Sequence, residues 1–145
     1  MLVSQYNQIL VAISFVVAIL AAYTALNMAA RVAGSRGMAA RVWLAGGGVS
    51  MGIGVWAMHF IGMLAMDLSM SMSYSVALTV FSMVIAICSS MFALWLVSCE
   101  QLRLRRLLPG AAVMGSGIVA MHYTGMAALN VTPDIIWDKT WVAIS

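Results

Sequence analysis

The chain has 145 residues, 64% of them hydrophobic and only 8% charged, with a mean hydropathy of +1.04. A soluble domain carries roughly a quarter charged residues to wet its surface, so this composition excludes a water-exposed globular enzyme and makes lipid the main solvent. The net charge of +3 is no nucleic-acid footprint, because the basic residues form two small clusters between apolar segments.

A helix needs about 20 mainly apolar residues to cross the hydrocarbon core. Four segments meet that test: about Ile9 to Met28, Trp43 to Met66, Tyr74 to Val97, and Leu107 to Asn130. The stretch before the first has no basic residue, and the apolar run is too long for a signal-peptide core, so it reads as a retained helix. The connector after the first segment holds Arg31, Arg36 and Arg41, and the one after the third holds Arg103, Arg105 and Arg106. The connector from Asp67 to Ser73 has no basic residue. By the positive-inside rule the two Arg-rich connectors face the cytoplasm and the N-terminus lies outside. After Asn130 a polar stretch leads to Trp141–Ser145, which turns apolar as if a fifth helix begins. The chain is therefore expected to be one transmembrane domain over residues 1–145, truncated at its C-terminal end. Cys88 and Cys99 lie eleven residues apart on one segment, roughly 16 Å along a helix, too far for a disulfide.

Shifting the sequence by 63 residues places Gly47–Met66 over Gly110–Leu129 with ten of twenty positions identical, including Met51/Met114, His59/His122, Gly62/Gly125 and Met63/Met126. The unit is a helix pair occurring twice in the same orientation, a parallel repeat about an axis along the membrane normal. The expected fold is an all-α membrane protein, a polytopic bundle of four transmembrane helices arranged as two helix-pair repeats. Both histidines then lie at one depth in the outer part of the bilayer, about 24 Å along segment two for His59.

Gly48, Gly52, Gly54 and Gly62 on segment two, and Gly115, Gly117 and Gly125 on segment four, offer slim faces for close helix packing. Segments two and four are accordingly expected to be the inner helices. Histidine in a membrane is costly and by default marks function; the plainer alternative is an imidazole satisfied by Tyr123 or Thr124. Each histidine has a methionine four residues on, Met63 and Met126, hence on the same helix face. Fourteen of the residues are methionine. Soft thioether and borderline imidazole donors together select copper over hard cations, although methionine is also a common filler of apolar interiors. Met58 and Met121 point about 100° away from the histidine faces. Two histidines at equal depth flanked by glycines also suit the axial ligation of a b-type haem, as in an electron carrier. There is no phosphate loop, paired carboxylates or nucleophile constellation, so no enzyme activity is expected.

Met121-His122-Tyr123-Thr124 resembles the signature of the MHYT domain, a family of bacterial integral membrane sensor modules, and Met58-His59-Phe60-Ile61 looks like a divergent copy. The resemblance covers essentially the whole chain. It implies copper held by Met121, His122 and Tyr123 from one copy and by Met58 and His59 from the other. It also implies a bacterial inner-membrane location, sensing of oxygen, nitric oxide, carbon monoxide or redox state, and a cytoplasmic output such as a diguanylate cyclase or cyclic-di-GMP phosphodiesterase. Phe60 stands where the family prefers tyrosine, and the third motif copy usual in the family does not occur. The incomplete repeat set and glycine-lined helices make homo-oligomerisation an expectation.

Overall fold

The computed structural model describes residues 5–67, 73–99 and 104–130. Four helices dominate: α1 (Gln8–Ala33), α2 (Gly37–Leu64), α3 (Val76–Val97) and α4 (Leu104–Ala127). The first three are long and apolar enough to cross a membrane. α4 has the length, 24 residues, but Pro109, four glycines, Ser116 and His122 make it less apolar than its neighbours. The expected start of a fifth helix at Trp141 lies outside the described residues.

The helix ends follow from local chemistry. The Asn7 side chain accepts from the backbone N–H groups of Ile9 and Leu10 at 3.0 and 3.4 Å, capping the exposed donors of the first turn. Between α1 and α2 the chain reverses through Gly34 to Gly37, and Gly37 has φ +62°, a left-handed value that side chains resist. Arg31 closes this turn by lying over the Trp43 ring, 4.7 Å from its centre, a cation–π contact at the arginine-rich end of the bundle.

At the opposite end each helix pair is tied off by a short antiparallel pairing. Strand β1 (Gln5–Tyr6) pairs with β2 (Met66–Asp67), and β3 (Ser73–Tyr74) pairs with β4 (Leu129–Asn130). The Asn7 N–H donates to the Ala65 carbonyl, and the Ser75 N–H donates to that of Ala128, both at 2.8 Å. Ala65 and Ala128 are repeat counterparts, as are β2 and β4. The repeat read from the sequence is thus a repeat of structure: strand, helix, helix, strand, twice.

The helices pack through missing side chains. On α2, a Cβ added at Gly47 or Gly54 would meet Met28 or Ala21 of α1 at 2.8 Å, and one at Gly48 or Gly52 would meet the backbone of Met91 or Ile87 of α3. α2 therefore lies between α1 and α3. α4 lies against α3, where Gly110 faces Leu96 and Gly117 faces Ser89. The expectation that α4 is an inner helix is corrected here: among the described residues α2 and α3 are central, and α4 leaves Ala111, Ala112, Ser116, Val119 and Ala120 exposed. The reason is that only some of its small residues meet a neighbour. Gly115 and, on α2, Gly62 have nothing within 4 Å of a Cβ position, although both were expected at packing faces. α3 supplies most of the buried core, with Ser82, Ala86, Ser90, Ala93, Leu94 and Leu96.

Candidate metal centre at the strand-paired end

His59 lies five residues before the end of α2, and His122 five before the end of α4. β1 ties the end of α2 to the start of α1, and β3 ties the end of α4 to the start of α3. The two imidazole rings are 4.9 Å apart, centre to centre, inclined at 69°. The His59 Nε2 is buried and has no hydrogen-bond partner among the described residues. Tyr123 and Thr124, the neighbours that would satisfy a purely structural histidine, do not reach that atom. A buried nitrogen without a partner costs roughly 1–3 kcal/mol, a cost that binding an ion at the nitrogen would remove.

The ring spacing bears on what fits between them. With metal–nitrogen bonds of about 2 Å, two imidazoles at a tetrahedral angle on one ion bring their ring centres roughly 5 Å apart. Two trans axial ligands of a haem stand roughly 6 Å apart with a flat macrocycle between them. The observed 4.9 Å fits the first arrangement. Groups of three or more His, Cys, Asp or Glu suited to a metal are absent among the described residues, so the remaining donors would be thioether or phenol.

Met63 and Met126 are half-buried, one turn beyond the histidines on the same helices. Met58 is half-buried as well. Met121 is only 3% exposed and lines a small cavity with Met51 and Met114, below the histidine pair. The Tyr123 ring packs edge-on to His122 at 5.3 Å. The arrangement brings His59, His122 and Tyr123 into one cluster and turns Met121 to the interior.

Gly125 lets α4 approach. A Cβ there would lie 3.2 Å from His59 Nε2 and 3.5 Å from the Phe60 ring, whereas at its counterpart Gly62 it would meet nothing. Gly125→Ala is therefore expected to push on the imidazole and would weaken several-fold the hold of a metal at the pair. Gly62→Ala should leave it unchanged, in a titration with Cu(I) against a competing chelator.

Phe60 is buried, with Trp56 at 4.7 Å and Tyr74 at 6.0 Å between ring centres. Trp56 in turn donates to Ser82 Oγ at 3.1 Å, and Ser82 donates to the Thr79 carbonyl. This aromatic floor under His59 was not foreseen from the sequence. Neither was Tyr74, whose hydroxyl is buried and lacks a partner among the described residues. Nothing in its local pattern marks it; only the β3–β4 register, Tyr74 opposite Leu129, carries it to the end of the bundle where the histidines meet.

The MHYT family, described as a bacterial signalling protein N-terminal repeat, matches residues 52–110 and 115–145. The chain is 54% identical over its full length to the bifunctional diguanylate cyclase/cyclic di-GMP phosphodiesterase MucR of Pseudomonas aeruginosa, covering 21% of that protein. It is 36% identical over 86% of its length to the signaling protein YkoW of Bacillus subtilis, covering 16% of it. It is 37% identical over 97% of its length to the cyclic di-GMP phosphodiesterase NbdA of Pseudomonas aeruginosa, covering 18% of it. The chain thus spans about a fifth of the length of these relatives. No solved structure matches it. With two helix-pair repeats, a Met-His motif on the second helix of each, and matches over both, the chain belongs to the MHYT family of bacterial signalling proteins.

Proposed function

We propose that the chain is a sensor module of the bacterial inner membrane that holds one copper ion between its two repeats. The observation that carries this reading is the orphaned His59 Nε2 beside the His122 ring. His59 and His122 would be the primary ligands, with Met63 and Met126 the nearest candidates on the same faces and Tyr123 beside His122. Met58 and Met121 are weaker candidates, and Met121 is occupied with packing. Copper so held supplies a redox-active centre with affinity for small diatomic ligands such as oxygen, nitric oxide or carbon monoxide. This chain's own residues set the ring spacing, through Gly125, and back His59 with Phe60 and Trp56, while the His122 ring is exposed and open to an incoming ligand.

The arginine-rich connectors support an orientation with the N-terminus and the histidine pair toward the outside. The names of two similar proteins, a cyclase/phosphodiesterase and a phosphodiesterase, support a cyclic-di-GMP output on the cytoplasmic side as the recipient of the signal. The alternative, a bis-histidine b-type haem carrier, is disfavoured by the ring spacing. Metal analysis and an optical spectrum of protein purified from membranes distinguish them. About one copper per chain and no haem is the expected result, and a strong Soret band with stoichiometric haem would overturn the copper reading.

A further inference from the structure

Residues that meet their own repeat counterparts must lie close to the axis relating the two repeats. One such pair, His59 and His122, is in ring contact, and two more counterpart pairs face one space at four-residue steps below it. Met51 and Met114 line one cavity together, Val55 and Ile118 line that same cavity, and His59 and His122 meet ring to ring above it. α4 comes up to His59 and Phe60 of α2 at Gly125, and the two pairs below line a space between the helices. The gap they leave is hollow. The upper cavity, about 40 Å³, also reaches Met121 and the Ser89 and Ser90 side chains. Below it a groove of about 190 Å³, open on one side, runs between Ala25 and Ala29 of α1, Val97 of α3, and Met114 of α4. Cavity and groove share Met51, Ala93 and Met114, so they adjoin.

The chemistry of the groove selects its occupant. Every side chain lining it is alanine, leucine, valine or methionine, and a water molecule needs two to four polar partners to stay. An enclosed apolar cavity of roughly 150 Å³ remains dry and takes up xenon or benzene; this groove has the same apolar lining but opens to the outside of the bundle past Leu26 and Val97, both exposed. Two of its walls are methionines, unbranched side chains that swing more readily than branched ones. The upper end stops one helical turn below His59, at Val55.

We propose that this axial hollow is a binding site for a small apolar molecule, a diatomic gas, and the route by which it passes from the lipid interior to the histidine pair. The delivery role rests on the metal centre proposed above; occupancy of the cavity does not. Oxygen, nitric oxide and carbon monoxide dissolve better in hydrocarbon than in water, so an entrance from the bilayer draws on the richer phase.

Two measurements on the whole chain in nanodiscs test this. With methionine methyl groups labelled with carbon-13, pressurised xenon should shift the Met51 and Met114 signals saturably, and the signal of exposed Met38 only in proportion to pressure. Ala93→Phe should abolish the saturable shift; Ala29→Leu, a milder filling, should reduce it, and lipid-facing Ala22→Phe should not. In copper-loaded protein, Ala93→Phe should slow carbon monoxide rebinding after photolysis tenfold or more with copper content unchanged, and Ala29→Leu should slow it less. A strictly linear xenon response at Met51 and Met114 in the wild type would refute the cavity site. Loss of xenon binding with unchanged rebinding would refute the route. A copper-free wild type, or one that binds no carbon monoxide, would remove the metal reading and the delivery role with it, while the xenon result alone decides the cavity.

Discussion

Replacing both His59 and His122 with alanine is expected to abolish tight copper binding while all four helices still form. Loss of a hydrogen-bonding partner behind a metal ligand typically costs roughly 10–100-fold in affinity, so losing both imidazoles should cost more than 100-fold. The metal-free stability should move the other way or not at all. In the wild type the His59 nitrogen is buried without a partner among the described residues, and deleting an unsatisfied polar group breaks no hydrogen bond. The truncated ring does leave space beside Phe60, which offsets part of that gain. Elemental analysis, a chelator competition and a thermal melt of the metal-free protein read the three quantities separately. Unchanged copper in the double variant would mean that the site is elsewhere. Met83→Leu, on α3 and outside the histidine cluster, should leave all three as in the wild type.

The sequence carried the fold further than it carried the site. Four helices, their order and their repeat follow from apolar length and a 63-residue self-match, because both are local or periodic properties. The 4.9 Å approach of His59 and His122 is consistent with equal depth and parallel repeats, which the same self-match implies. The position of α4 was not legible. Its glycines resemble those of α2 residue for residue, yet Gly117 meets Ser89 while Gly115 meets nothing. Small residues permit close packing on a face without stating which neighbour arrives there. Tyr74 and Trp56 escaped for a related reason. Their parts in the aromatic floor depend on strand register and on the α2–α3 seam, contacts between distant residues that no short pattern encodes. Phe60, which read as a defect in the first motif copy, is buried between Trp56 and Tyr74. A phenol at that position would have to find a partner in an apolar layer.

That difference between sequence-equivalent glycines leads to the largest stability effect expected in the chain. Gly52 and Gly115 occupy the same place in the two repeats, and alanine at each should act with opposite sign. At Gly52 a Cβ would lie 2.5 Å from Ile87 Cα and 2.7 Å from its nitrogen. These are backbone atoms, so no side-chain rotation relieves the clash and α2 must move away from α3. Overpacking of this kind costs typically 1–3 kcal/mol, and a rigid backbone contact belongs at or beyond the upper end. The movement would also open the Gly48–Met91 contact and stretch the Trp56–Ser82 hydrogen bond. His59, one turn beyond Trp56, would shift against His122. Gly52→Ala should therefore lower both the unfolding midpoint and the copper affinity. At Gly115 nothing lies within 4 Å of the new methyl, and exchanging glycine for alanine inside a helix gains up to about 1 kcal/mol. Thermal unfolding of the two variants in the same detergent, followed by circular dichroism, makes the comparison. Equal responses would show that the repeats pack alike and that the α2–α3 seam is misplaced. A loss at Gly52 beside a gain at Gly115 is what a central α2 and a flanking α4 require.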